Sequence, residues 1–292
     1  MGRSAMVERH VKELYDKYSR NEINRRQFLE RLATVVGGVA AAYALLPLLE
    51  NNSAHAAIVA ADDARLVTER VTFAGAQGDI RGYQAWPKDG GKLPGVVVVH
   101  ENRGLNAHIE DVTRRIALAG YLAIAPDGLS PMGGTPADPE RAIEMIKNLR
   151  MDETIKDFTA AAAYLKTHPQ STGKVGVVGF CWGGAMANLL AAHSTDIIAA
   201  VPYYGKPLQA EGVAKIKAPL LLHYAGQDER INKDIPDFIA ALEENKIEYE
   251  MYMYEGAEHA FNNDTNPARY NNEAAELAWM RTIEFLDRKL KG

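Results

Sequence analysis

Five short runs constrain this chain most. They are GVVVVH (95–100), YLAIA (121–125), VGVVGF (175–180), residues 198–203 and PLLLHY (219–224), all apolar at odd and even positions alike. A strand with one wet face alternates, whereas a strand apolar on both faces belongs inside a parallel sheet covered on both sides. Between these runs lie segments with a single apolar stripe. Ile109, Val112, Ile116 and Ala119 form one, closed by Gly120; Ile155, Phe158, Ala162 and Leu165 form another; Ile235, Phe238, Ile239 and Leu242 form a third. That spacing predicts amphipathic helices, and their regular alternation with buried strands predicts a mostly parallel, doubly wound α/β domain. Residues 67–74 and 80–86, parted by the turn-forming stretch from Gly75 to Gly78, predict an antiparallel hairpin at the sheet edge. A last strand is expected at 248–254, followed by a C-terminal helix with Ala275, Trp279, Ile283, Leu286 and Leu290 inward.

Residues 1–56 are of another kind. Charge is dense up to Arg31, then absent from Leu32 to Leu49. Asn24-Arg25-Arg26-Gln27-Phe28-Leu29 resembles the twin-arginine export motif, and Ala54-His55-Ala56 has the small-x-small form a signal peptidase accepts. The expectation is a twin-arginine signal peptide over 1–56 that engages the twin-arginine export machinery, is cleaved after Ala56 and delivers a folded protein to the periplasm. A retained membrane anchor is the other reading, weakened by Gly37, Gly38 and Pro47. Residues 57–66 then read as a short lead-in and 67–292 as one domain, with membrane contact only through the N-terminal segment.

With 33 Lys plus Arg against 38 Asp plus Glu, the formal net charge is −5, and no long basic run occurs. Nucleic acid is excluded as an expected partner, because phosphate binding draws on clustered cations. The single cysteine excludes an internal disulfide and any CxxC site. No HExxH or comparable ligand spacing occurs, so neither metal nor cofactor is expected.

In open α/β sheets, ligands bind beyond the carboxyl ends of the strands. Four reactive residues fall there: Glu101, Cys181, Asp228 and His259. Cys181, in Gly179-Phe180-Cys181-Trp182-Gly183-Gly184, stands between an apolar strand and the helical run AMANLLAAH. This is the nucleophile elbow of α/β hydrolases with cysteine in the serine position. The tight turn brings strand and helix together, and the glycines remove side chains that would clash. The helix N-terminus behind the thiol favours thiolate. Asp228 follows PLLLHY in a short glycine turn, with Glu229 as the neighbour that could replace it. Helix capping ahead of the Ile235 stripe falls better to Asn232 or Asp234 than to Asp228. His259 lies in the glycine-containing loop after the last strand, where this fold brings a base to the elbow. His100 and His223 sit in strands and read as packing.

From about Val67 onward the chain resembles the dienelactone hydrolase family, through GFCWGG and through HENRG (100–104). The resemblance implies hydrolysis of esters or lactones by a Cys-His-Asp triad of Cys181, His259 and Asp228. It also implies that Glu101 contacts the resting thiol and releases it when substrate arrives. The oxyanion would be held by the backbone N–H groups of Trp182 and Asn102. One departure bears on the substrate: where dienelactone-cleaving members carry an arginine four positions after the histidine, this chain has Asn263. Arg141 and Arg150 are the candidate replacements. Two other classes stay open on sequence alone: a thiol redox protein in which Cys181 meets peroxide, and a catalytically silent binding module.

Overall fold

The computed structural model describes residues 25–39 and 57–292, with Val11, Leu14, Ile23 and Ala42. The chain divides into two compact units. The smaller holds Met1–Ala57 and Asn263–Tyr270. Its helix α1 (Arg25–Val36) begins on the arginine pair, and Phe28 and Leu32 are buried in a cluster with Val11, Ile23 and Ala42. Ala54, His55 and Ala56, the expected cleavage site, lie outside the described residues. Among the described residues no helix is long and apolar enough to cross a membrane.

The larger unit, Ile58–Asn262 with Asn271–Gly292, is a single α/β domain built on one eight-stranded sheet. Its strands are β1 (Leu66–Ala74), β2 (Asp79–Pro87), β3 (Leu93–Val99), β4 (Leu122–Pro126), β5 (Ser171–Phe180), β6 (Ile197–Tyr203), β7 (Leu220–Ala225) and β8 (Tyr249–Tyr254), in the order β1-β2-β4-β3-β5-β6-β7-β8. The sheet from β4 to β8 is parallel, while β1 and β2 form the expected hairpin, in register from Leu66↔Pro87 to Ala74↔Asp79. The hairpin does not merely cap the edge. Gly82 to Ala85 pair antiparallel with Pro126 to Ala123, which extends the sheet by two strands.

The predicted helices form as α2 (Ala107–Leu118), α4 (Met151–Thr167), α5 (Trp182–His193), α8 (Ile235–Glu244) and α9 (Asn272–Leu286), with the short α6 (Ala210–Val213) and α7 (Glu229–Asn232) between strands. Like the short α6 and α7, α3 (Pro139–Lys147) has no counterpart in the periodicity reading; it is started by Asp138, whose side chain accepts from Glu140 N. Val97, Val99, Leu122, Ile124, Val175 and Val177 pack with Phe158, Leu165, Leu190 and Phe238 of the helices in one continuous core. The C-terminal helix is rotated from expectation. Trp279 and Ile283 are half-buried, and Thr282, with no exposure, faces in beside Ala278 and Phe285. The cause is polar: Thr282 Oγ1 lies 2.6 Å from Tyr203 Oη and 3.1 Å from His223 Nε2, and those buried groups need a partner.

The chain runs from β3 through α2 to β4 on one side, and through α4 to β5 on the other. Strand order therefore reverses between β3 and β5, and the crevice beyond their carboxyl ends receives Glu101 and Asn102 from one strand and Cys181 from the other.

Candidate active site

Cys181 is the one residue between β5 and α5, with φ 55° and ψ −112°. A non-glycine residue held there costs about 1–3 kcal/mol, and the surroundings impose it. Cys181 N donates to Tyr203 O at 3.0 Å, and Cys181 O accepts from Ala185 N at 3.1 Å. Two glycines make the turn possible. A Cβ on Gly179 would meet the Gly183 carbonyl, and one on Gly183 would lie 2.5 Å from His100 O and press on Val99 O as well. These neighbours are backbone and cannot swing aside.

Asp228 and His259 arrive on loops after β7 and β8. Gly226 N donates to Tyr254 O at 2.8 Å and Gln227 N to Ala257 O at 2.9 Å, so the two loops are joined by backbone. His259 Nδ1 lies 2.5 Å from Asp228 Oδ2, and His259 Nε2 lies 3.0 Å from Cys181 Sγ. The acidic residue of the pair is Asp228, not its exposed neighbour Glu229. Although Asp228 occupies the N-cap position of α7, its side chain makes no capping bond. The expected capping duty of Asp234 and Asn232 is not found either. Asp234 caps α8 without a side-chain bond, and Asn232 Nδ2 donates back to Ala225 O at 2.8 Å.

Burial pushes the Cys181 thiol up to about 12, and the Glu101 carboxylate adds to the rise. The Trp182 N–H and Arg230 pull the other way. The helix N-terminus favours thiolate; burial and a neighbouring carboxylate oppose it and push the sulfur toward the neutral thiol. Glu101, 5% exposed, stands directly after His100 beyond β3.

The half-buried Cys181 opens on a cavity of about 510 Å³. Asn102, Trp182, Tyr204 and His259 line it near the sulfur; Ile143, Ile146 and Leu149 form an apolar wall. Tyr204 stands edge-on to His259 with ring centroids 5.1 Å apart. Neither Arg141 nor Arg150 reaches this cavity; Arg150 Nη2 donates to Gln77 Oε1 at 3.0 Å. The cations that line it are Lys147, Lys206 and Arg230. Sequence reasoning missed Lys206 and Arg230, which come from the loop after β6 and the one-turn α7 after β7, where nothing periodic announces a tertiary position. Asn263 accepts from Thr265 N and Oγ1 within its own segment. Among the described residues no cluster of three or more His, Cys, Asp or Glu could hold a metal ion.

A mostly parallel eight-stranded sheet, with a strained nucleophile turn after β5 and two loops delivering an acid and a base to it, defines the class: an α/β hydrolase fold. Within that class the chain belongs to the dienelactone hydrolase family, whose model matches residues 80–290. It is 35% identical over 227 residues to an Escherichia coli (strain K12) protein provisionally assigned as a carboxymethylenebutenolidase, covering 72% of this chain and 83% of that protein. A protein of Saccharolobus solfataricus with the same provisional assignment is 33% identical over 250 residues, covering 73% and 95%. A crystal structure from Klebsiella pneumoniae, provisionally assigned as a dienelactone hydrolase, superposes with a TM-score of 0.71 at 28% identity, covering 76% of this chain and 99% of that one. The chain is a hydrolase of this family; the comparisons favour neither the redox nor the silent-binding reading.

Proposed function

We propose that this protein hydrolyses a carboxylic ester or lactone through a thioester on Cys181. The observation that carries the reading is the relay from Asp228 through His259 to the sulfur, at 2.5 and 3.0 Å, opening on a cavity. His259 Nε2 takes the thiol proton as sulfur attacks the acyl carbon, and Asp228 fixes the tautomer and stabilises the imidazolium. The tetrahedral oxygen is held by the N–H groups of Trp182 and Asn102. Collapse breaks the acyl C–O bond, and the leaving oxygen takes the proton from His259. Water then attacks the thioester, giving a proton to His259, which returns one to the departing sulfur. The net change is one ester bond and one water converted to acid and hydroxyl. A thiol pushed well above neutrality suits an enzyme that releases its nucleophile only when substrate fills the site.

Cavity chemistry bears on the substrate. The wall of Ile143, Ile146 and Leu149 suits an apolar body, and among the described residues neither Lys206 nor Arg230 forms an ion pair. An ester or lactone carrying a negative group would satisfy them. Cys181→Ala is the test: turnover of a small aryl ester should vanish, and retained turnover sinks the scheme. Peroxide consumption without ester turnover would transfer the assignment to thiol redox chemistry.

Residues 1–56 are proposed to be a twin-arginine signal, cut after Ala56 on the way to the periplasm. The intact mass of the exported protein checks this; a mass that still includes 1–56 refutes cleavage.

A further inference from the structure

His100 has no exposure and touches no reacting atom, yet both of its ring nitrogens are engaged. Gly128 N–H lies 3.1 Å from Nε2, and an amide N–H can only donate, so Nε2 accepts. The ring proton is therefore on Nδ1, and it donates to Glu101 O at 2.7 Å. Burial holds the imidazole neutral by lowering its pKa. The Glu101 carbonyl shares a planar peptide group with the Asn102 N–H, and the chain contains no cis peptide among the described residues. A donor fixed on that oxygen fixes the direction of that N–H and polarises it, because hydrogen bonds along a chain strengthen one another. A face of the same ring stacks on the Trp182 indole, with centroids 5.2 Å apart and planes 12° apart. Trp182 supplies the other proposed oxyanion donor. The His100 carbonyl in turn bears on Gly183, the residue that follows.

We propose that His100 is a positioning residue for the oxyanion site: its Nδ1–H sets the plane of the Glu101–Asn102 peptide and its ring seats Trp182, so one buried imidazole aligns both backbone donors. This rests on the ester-hydrolase reading of Cys181. Any buried histidine needs partners for its ring nitrogens; what ties this one to the oxyanion site is that its acceptor is the carbonyl of the Glu101–Asn102 peptide and that its ring lies on Trp182.

The test compares wild type, His100→Phe and His100→Asn in three measurements. These are aryl-ester kcat and KM, inhibition by a trifluoromethyl ketone that adds to the thiol as an oxyanion, and the rate of alkylation by iodoacetamide. Phe keeps a ring against Trp182 and loses both hydrogen bonds; Asn restores a donor near the Nδ1 position. Removing an oxyanion donor outright costs about 10²–10³ in kcat, so misaligning one should cost about 10–100-fold. His100→Phe should lose that factor in kcat with KM little changed, and a similar factor in ketone affinity. Alkylation, which builds no oxyanion, should stay within about threefold, and His100→Asn should recover most of the loss. Unchanged ketone affinity in His100→Phe, or an equal fall in alkylation, overturns the proposal. If His100→Phe does not fold, the wild-type Nδ1 proton resonance decides: a downfield shift on binding the ketone supports the role and an unmoved resonance overturns it. A wild-type chain that neither turns over ester nor binds the ketone removes the hydrolase reading, and this one with it. Activity in the wild type with no change in the variants removes only the role of His100.

Discussion

Alkylation of Cys181 in the resting enzyme should be slow, and by a calculable amount. A thiol raised from 9.0 to about 12 exists as thiolate about a thousand times less often near pH 8. The more basic thiolate is also the better nucleophile, with a Brønsted slope of about 0.45, which returns roughly 20-fold over three units. The net expectation is iodoacetamide modification about 50-fold slower than that of free cysteine at about pH 8. Glu101→Gln removes the carboxylate's share of the shift and leaves the larger share, burial, in place. Its rate should rise, while remaining short of the free-thiol rate. Stopped samples analysed by mass spectrometry across pH 6 to 10 give the rate and its pH profile. A wild-type rate equal to or above that of free cysteine would mean that sulfur and His259 already rest as an ion pair, and the reasoning from burial would be wrong. A Glu101→Gln rate below wild type would refute the carboxylate's part in it.

Three further outcomes are expected. Gly183→Ala should destabilise the fold by about 1–3 kcal/mol or more, since its Cβ would meet the Val99 and His100 carbonyls; a thermal midpoint equal to wild type would show that the turn has room. Buried His223 is lowered to about 3, so between 6.5 and that value the unfolded chain binds a proton the native chain refuses, and stability must fall as pH drops. Near pH 4.5 the loss from this group is about 3 kcal/mol, His100 adds in the same direction, and urea midpoints that stay level from pH 7 to 4.5 would contradict it. Replacing both Lys206 and Arg230 by Gln should lower kcat/KM for a carboxylate-bearing ester about tenfold or more relative to its neutral analogue, and an equal effect on both esters would deny these side chains a part in selection.

Much of this was readable before any coordinates, for reasons tied to particular residues. The elbow was legible because steric demand writes itself as glycine: Gly179 and Gly183 stand where backbone meets backbone. Strand ends were legible because β3, β7 and the second half of β5 are apolar on both faces, so the reactive residues just beyond them, Glu101, Cys181 and Asp228, had to lie at the rim. Lys206 and Arg230 were not, because one occupies a loop and the other a one-turn helix whose placement depends on packing elsewhere. α3 escaped because it is short and its buried residues, Ala142 and Ile146, pack with Leu129 in a small cluster of their own rather than in the core on the sheet. The inward turn of Thr282 was hidden too, since a hydrophobic stripe cannot report that Tyr203 and His223 need a hydroxyl between them. The helix end behind the thiol is legible in the sequence, whereas the opposing effect of burial is not, because desolvation is a property of the assembled site.

The pair of main-chain bonds that stitch the turn after β7 to the one after β8 makes the carboxylate and the imidazole a single mechanical part. Thermal loosening of this corner would carry both away together, parting ring from sulfur while ring and carboxylate stay engaged. Any gating of the reaction by motion must therefore act at the sulfur end, where one strained residue faces a partner that arrives already assembled.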